Sequence, residues 1–161
     1  MSPGPRIVFT RFLTGDSPKL VPWVEHARQV TARTAEAGAS LGPEASPIVW
    51  QLVSGNNRHL ARSVAIHSSF EDAAASARGI IAARADLLVE LVSQPTRGSY
   101  GWYAADGGAP VMLCARWYVT PRDRRHSLAL ALRCLDEAEL DPGVRVVYPA
   151  PKESAPELFL A

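Results

Sequence analysis

The chain has 161 residues, of which 47% are hydrophobic and 20% are charged, a balance typical of one globular domain and unlike that of disordered or coiled-coil proteins. The 17 basic and 16 acidic residues nearly cancel, which argues against a protein that coats nucleic acid or an anionic membrane through its overall charge. Two cysteines are too few for a disulfide framework. No stretch is apolar for long enough to be a signal-peptide core or a membrane span. We therefore expect a cytoplasmic protein without a membrane partner.

Residues 1–47 form an N-terminal extension in which we predict one strand and one helix. The strand covers residues 6–13. The helix begins at Pro22 and ends near Gly38, and its apolar positions are Trp23, Val24, Ala27 and Val30. Residues 39–47 are rich in Ala, Ser, Gly and Pro, a composition typical of a linker.

A shift of 52 residues aligns two segments of the chain, which indicates an internal repeat. The aligned residues are identical or chemically alike: Trp50 with Trp102, Gly55 with Gly107, Ala77 with Ala129, Ser68 with Thr120, and Glu71 with Asp123. Residues 48–148 therefore divide into two tandem units, 48–93 and 99–148. A Pro-containing tail follows at 149–161.

Each unit has the pattern of two strands, a helix and a closing strand. The predicted elements are strands 48–53 and 59–67, helix 68–85 and strand 87–92 in the first unit, and strands 99–105 and 110–119, helix 120–138 and strand 144–148 in the second. Gly and Asn residues separate the strands of each hairpin, and Ser68 and Thr120 can cap the helices. We predict an α+β fold in which two tandem ββαβ repeats form an antiparallel sheet packed against helices, beside the N-terminal helix-containing segment.

The second strands of the two units do not share one burial pattern. Apolar residues alternate with mixed residues in the second unit, which predicts one buried face made of Val111, Leu113, Ala115, Trp117 and Val119. The positions 52 residues earlier hold His, Ala and Ser, and the apolar residues there lie on the other face. A bulge or a one-residue slip between the repeats is therefore predicted.

A short series of residues recurs in both units: an aromatic residue, a turn glycine, a small residue, an aromatic or apolar residue three positions later, and a Ser or Thr that opens the helix. These are Trp50, Gly55, Ser63, Ile66 and Ser68 in the first unit, and Trp102, Gly107, Ala115, Tyr118 and Thr120 in the second. In this series, over residues 48–148, the chain resembles the YegP-like family of small bacterial proteins built from repeated ββαβ modules. Ala115 stands where the family has Ser, Ile66 stands where it has Tyr, and residues 1–47 have no counterpart in its short members. The resemblance implies the fold and a capacity to dimerise, and it implies no catalytic residues.

The residues able to ligate a metal or to act as nucleophiles are spread along the chain. They are His26, His59, His67, His126, Cys114 and Cys134. His59 and His67 would be roughly 26 Å apart on one strand, and His126 and Cys134 roughly 12 Å apart on one helix. The sequence holds no nucleophile elbow, phosphate-binding glycine loop or paired-carboxylate motif. We therefore expect no metal, no cofactor and no catalytic residue.

Several arginines lie near aromatic residues in the hairpins and at the start of the second helix. We expect an interaction surface made of Arg58, Arg62, Arg116, Tyr118, Arg122, Arg124 and Arg125. Such a surface can contact phosphates and stack on bases, so nucleic-acid binding is one hypothesis. In the alternative, Trp102 and Trp117 are core residues and the acidic C-terminal segment lies against the arginines.

Three apolar residues near the C-terminus, Leu158, Phe159 and Leu160, form a candidate tail motif that is either docked on the domain or bound to another protein. An open sheet also leaves edges that a second copy can cover. The leading hypothesis is a non-catalytic protein-interaction module that forms a homodimer and binds a protein partner that the sequence does not identify. The alternatives are nucleic-acid binding and an enzyme with an unrecognised site.

Overall fold

The computed structural model describes residues 4–32 and 44–147. Within these ranges the chain forms seven strands and three α-helices, with short 3-10 turns at Arg84–Asp86 and Pro95–Arg97. In chain order they are β1 (Arg6–Phe12), α1 (Leu20–Thr31), β2 (Ile48–Val53), β3 (His59–Ser63), α2 (Phe70–Ala82), β4 (Leu88–Gln94), β5 (Ser99–Asp106), β6 (Ala109–Cys114), α3 (Pro121–Glu137) and β7 (Glu139–Val147). The predicted helix end near Gly38, most of the linker and the tail with Leu158, Phe159 and Leu160 lie outside the described residues.

The strands form one sheet in the order β4-β5-β6-β3-β2-β1-β7. Neighbouring strands run antiparallel except β1 and β7, which are parallel. The predicted α+β fold is confirmed, with one correction: the sheet is mixed rather than antiparallel. The cause is the N-terminal strand, because β1 lies between β2 and β7 and runs in the same direction as β7.

The two repeats exchange their closing strands. β3 of the first unit pairs with β6 of the second at the centre of the sheet. The closing strand of the first unit, β4, pairs with β5 of the second unit, and β7 lies beyond β1 on the side of the first unit. Apart from β1, the two halves of the sheet are therefore related by a pseudo-two-fold axis between β3 and β6.

Helices cover both faces of the sheet. The indole N–H of Trp50 donates to Ser76 on α2 at 3.5 Å, which places α2 over the face to which Trp50 points. The adjacent Val49 points the opposite way and packs with Leu20 and Trp23 of α1. The central strands are consequently buried on both sides, and Trp50 and Trp102 are both 0% exposed.

The predicted one-sided burial of the second strand of the second unit is wrong. Met112, Leu113 and Cys114 are consecutive and all buried, because helices cover both faces of the sheet. Leu113 pairs with Arg62, which lies against Trp23 of α1. Met112 pairs with Ser63 and thus lies on the Trp50 face, which α2 covers. β3 and β6 also end earlier than predicted, at Ser63 and Cys114. Val119 consequently lies beyond the sheet and is 74% exposed.

The predicted one-residue slip is present in the first hairpin. The backbone N–H of Trp50 donates to the Ser63 hydroxyl at 3.2 Å, and that of Trp102 to the Cys114 thiol at 3.4 Å. The first pair is thirteen residues apart and the second twelve. After the hairpins the repeats are therefore offset by 51 residues, and Ser69, rather than Ser68, is the counterpart of Thr120 as a helix cap.

The segment Asp141-Pro142-Gly143 does not precede the last strand, as its turn-forming residues predict, but lies within it. Ile7 of β1 pairs with Leu140, and Phe9 pairs with Val144, so three residues of β7 bulge opposite one of β1. β7 tolerates this because it is an edge strand, where proline needs no ladder partner. In the ranges that the structure describes, no helix has the length and apolar character needed to cross a membrane.

Candidate functional site

A cavity of about 540 Å³ lies between the β2–β3 hairpin and α3, and we call it the hairpin groove. Its polar lining comes from three segments: the hairpin, the β6–α3 connection, and the first two turns of α3. The polar side chains are those of Asn57, Arg58, His59, Arg116, Tyr118, Asp123, His126 and Ser127, with Leu60 and Leu130 as the apolar lining. Four of these side chains are basic.

The position of Tyr118 is fixed by hydrogen bonds at both ends of the residue. Its backbone exchanges two hydrogen bonds with Tyr100, each of 2.8 Å, and its hydroxyl accepts from Ser127 of α3 at 2.6 Å. The guanidinium of Arg116 lies 5.3 Å from the centre of the Tyr118 ring. Because the residue is only 8% exposed, Tyr118 contributes to a wall of the groove and offers no free face for stacking.

The opposite wall is the β2–β3 turn. Asn57 adopts the left-handed conformation with φ of 68°, and its backbone N–H donates to the carbonyl of Ser54 at 2.9 Å. Arg6 of β1 donates to the side-chain oxygen of Asn57. This turn carries the exposed Arg58 and His59 to the rim of the groove.

The surroundings of the groove are electropositive. Among the described residues, the ion pairs are Arg28 with Glu25 and Arg84 with Asp136, so neither arginine of the groove has a carboxylate partner there. Partial desolvation of the ring against the groove, and to a smaller degree the charges of Arg145 and Arg6, lower the pKa of His59. The groove therefore carries the two positive charges of Arg58 and Arg116 and one negative charge, that of Asp123.

The predicted arginine surface is divided among three places. Arg58, Arg116 and Tyr118 meet at the hairpin groove. Arg124 donates instead to the carbonyl of Val92 at 3.1 Å and to the hydroxyl of Ser93 at 2.9 Å, and thereby connects α3 to the edge strand β4. Two exposed residues of α3, Arg122 and Arg125, do not line the groove.

Arg62 does not belong to the surface at all. It is 7% exposed, its guanidinium lies 4.0 Å from the centre of the Trp23 ring, and it donates to the carbonyl of Trp23 at 3.2 Å. Burial lowers the pKa of Arg62 to about 10. The prediction failed because α1 packs over β3, a tertiary contact that no local pattern encodes.

The groove also contains His59 and His126, which the sequence presents only as candidate metal ligands or nucleophiles. The fold brings them to the same groove from elements 67 positions apart in the chain. In residues 4–32 and 44–147, no group of three or more His, Cys, Asp or Glu side chains is placed to hold a metal ion. The signal that could have identified these histidines is their position next to Arg58 and Arg125.

Both cysteine thiols are buried and free. Burial raises the pKa of Cys114 to about 11, and burial also raises the pKa of Cys134. Because the thiolate is the nucleophilic form, both side chains are protonated and unreactive near neutral pH.

The two ββαβ units that share one sheet define an α+β protein built from an internal repeat. The sequence matches no protein-family model and no curated protein. Among solved structures, the fold is similar to the solution NMR structure of YegP from E. coli, a protein of unknown function, with a TM-score of 0.47 and 12% sequence identity. The similarity covers 88% of this chain and 92% of that chain, and it concerns the fold alone.

Proposed function

We propose that the protein is a cytoplasmic, non-catalytic interaction module that self-associates through the free edge of β4. The observation that carries this proposal is the exposure of two leucines on that edge strand, 66% for Leu88 and 56% for Leu91. An edge strand has unpaired backbone groups, and apolar side chains beside them favour pairing with a second chain. Leu88 and Leu91 point to opposite faces of the strand, and pairing would place a side chain of the second copy beside each of them.

The two edges of the sheet differ in their suitability for pairing. β7 contains a proline, a bulge and the charged residues Glu139, Asp141 and Arg145, all of which discourage strand addition. β4 is seven residues long, has no register shift against β5 and carries a single charge, that of Glu90. The contrast supports β4 as the interface.

An antiparallel pair of β4 strands related by a two-fold axis allows one favourable register. With the axis at Val89, Leu91 lies opposite Leu87 of the partner subunit, and the two Glu90 side chains are not directly opposed. The two copies then form a continuous apolar row on one face, since directly opposed side chains of antiparallel strands share a face. Arg124 occupies the carbonyl of Val92, which limits the pairing to the segment before it.

The buried thiols support a non-catalytic role, because burial raises the pKa of both cysteines and so disfavours the nucleophilic thiolate. Burial of Trp102 and Tyr118 disfavours the nucleic-acid hypothesis in the form in which bases stack on these rings.

The test is the mass of the purified protein by size exclusion with light scattering. We expect twice the chain mass for the natural protein and the chain mass for a Leu91→Lys variant, because pairing would bury one unpaired ammonium group from each copy in the apolar row. Val21→Lys is the matched control, since Val21 is 65% exposed on α1 and the change keeps the dimer. A monomeric natural protein at micromolar concentration would overturn the proposal.

A further inference from the structure

The hairpin groove is separate from the β4 edge. The internal repeat distinguishes the groove residues that the fold needs from those that it does not need. Both units build the same joint between hairpin, connection and helix, with residues offset by 51 positions. The shared framework includes the capping residues Ser69 and Thr120, whose side chains accept from the backbone N–H groups of Asp72 and Asp123. These residues serve the fold, since both units need them.

The basic residues of the groove have no such counterparts. At the 51-residue offset, the positions of Arg58, His59, Arg116 and His126 correspond to Ala109, Pro110, Ala65 and Ala75. The same joint therefore forms in one unit with four uncharged residues and in the other with four basic ones. The fold does not require the basic set, which points to a ligand.

The charge of the groove determines whether that ligand is an anion or a cation. Arg58 and Arg116 have no carboxylate partner among the described residues, and Arg6 and Arg145 add positive charge near His59. The lining holds the guanidinium groups of Arg58 and Arg116 and one carboxylate, that of Asp123, so an excess of positive charge remains, and a bound anion relieves the repulsion between the cations. The ligand is therefore anionic.

The donor groups and the volume of the groove narrow the chemical class of the ligand. Guanidinium groups present forked donors that match phosphate oxygens, and histidines and the hydroxyl of Tyr118 add further donors. A volume of about 540 Å³ is in the range of small-molecule sites and far above that of a bare phosphate ion. Leu60 and Leu130 provide apolar contact for the remainder of the molecule.

We propose that the hairpin groove binds a small organic phosphate, a phosphomonoester on a body of sugar or nucleoside size, with Arg58 and Arg116 as its principal phosphate ligands. The buried Tyr118 ring offers no stacking platform, so a polynucleotide held by successive stacked bases is disfavoured.

The test is calorimetric titration of the full chain with ribose 5-phosphate, with adenosine monophosphate, with ribose and with a single-stranded oligonucleotide. We expect saturable binding of one or both phosphomonoesters and none of ribose. An Arg58→Ala, Arg116→Ala variant should lose affinity by about tenfold or more, since two charge-assisted hydrogen-bond donors are removed. Binding of ribose 5-phosphate alone assigns a sugar phosphate, and stronger binding of adenosine monophosphate assigns a nucleotide; either result supports the proposal.

An Arg78→Ala, Arg133→Ala variant is the matched control, because it removes the same charge from exposed helix positions outside the groove. Equal weakening in both variants would show a general charge effect and overturn the site, as would binding of the oligonucleotide without either phosphomonoester. Proton NMR of His59 gives an independent readout, since a bound anion raises the pKa of a nearby imidazole. Light scattering of the Arg58→Ala, Arg116→Ala variant separates this proposal from self-association, which we expect to be unaffected.

Discussion

His26 is the side chain at which the packing of α1 has its clearest electrostatic effect. Its Nε2 lies 3.0 Å from the carbonyl oxygen of Cys114, and its ring meets the edge of Trp117 at 5.8 Å between centroids. Burial, and then the charge of Arg62, lower the pKa of His26 to about 4. A neutral imidazole is therefore part of the folded state.

This pKa predicts a loss of stability in mild acid. Between pH 6.5 and pH 4 the unfolded chain binds a proton at His26 that the folded chain does not, so the free energy of unfolding falls as the pH falls. We expect a decrease of about 2 kcal/mol, reduced from the full pKa difference because the ring is partly exposed. Urea unfolding at a series of pH values measures it.

His26→Gln is the control, because an amide can still donate to the Cys114 carbonyl and does not titrate in this range. The carboxylates, and the lowered pKa values of His59 and His67, contribute equally to both proteins. The dependence on pH should be shallower in the variant, and identical slopes would contradict the assignment.

For single residues, the sequence predicts the structural role correctly where local chemistry determines it, and incorrectly where tertiary contacts determine it. Thr120 with Pro121 predicts a helix start correctly, since capping acts within four residues. Arg62 was expected at the surface because arginine is rarely buried. Its burial depends on Trp23, which is 39 positions away in the chain.

Two glycines lie in elements with different backbone requirements, so the effect of adding a Cβ methyl group on stability differs between them. Gly107 lies in the β5–β6 turn with φ of 59°, and Gly79 lies within α2, where no atom stands within 4 Å of an added Cβ. The turn needs the left-handed conformation, whereas the helix loses stability from glycine's flexibility.

We therefore predict opposite effects of the same substitution. Gly107→Ala should lower the free energy of unfolding by about 1 kcal/mol, because alanine is strained at positive φ. Gly79→Ala should raise it by about 0.5–1 kcal/mol, because alanine is the better helix former. Urea unfolding of both variants is the measurement, and effects of the same sign would refute this account of the turn and the helix.

Elements with strong local signals were predicted closely, and their ends were not. The first strand of the first unit, Ile48–Val53, has the predicted bounds. The second strands were predicted too long because their sequences stay apolar after the chain has left the sheet, where single bridges such as Ile48 with His67 replace the ladder. Pro142 was read as a turn residue, although an edge strand accommodates it in a bulge.

The order of the strands is the part of the fold that periodicity could not reveal. Alternating residues report which face of a strand is buried and do not report its neighbours. The exchange of β4 and β7 between the halves, and the place of β1 between β2 and β7, depend on long-range pairing. The site could not be predicted as a unit for the same reason, since Arg58 and His126 meet only after this assembly.

The exchange predicts that neither repeat folds alone. In a fragment of residues 1–98, β4 lacks β5, and in a fragment of residues 99–161, β7 lacks β1. We expect each fragment to unfold without cooperativity and an equimolar mixture to recover the circular dichroism of the intact protein, because the mixture restores both pairings. Cooperative unfolding of either fragment by itself would contradict the interlocked arrangement.

The asymmetry between the two sheet edges also bears on fibril formation. Head-to-tail addition of β4 to β7 would propagate without limit, as open heterologous contacts do. Pro142 and the adjoining bulge prevent β7 from acting as a template for strand addition. Addition of β4 to β7 therefore does not propagate. The two-fold pairing that we propose would use both β4 edges and leave only the interrupted β7 strands at the ends of the sheet, so the assembly would be finite and would resist polymerisation in concentrated solution.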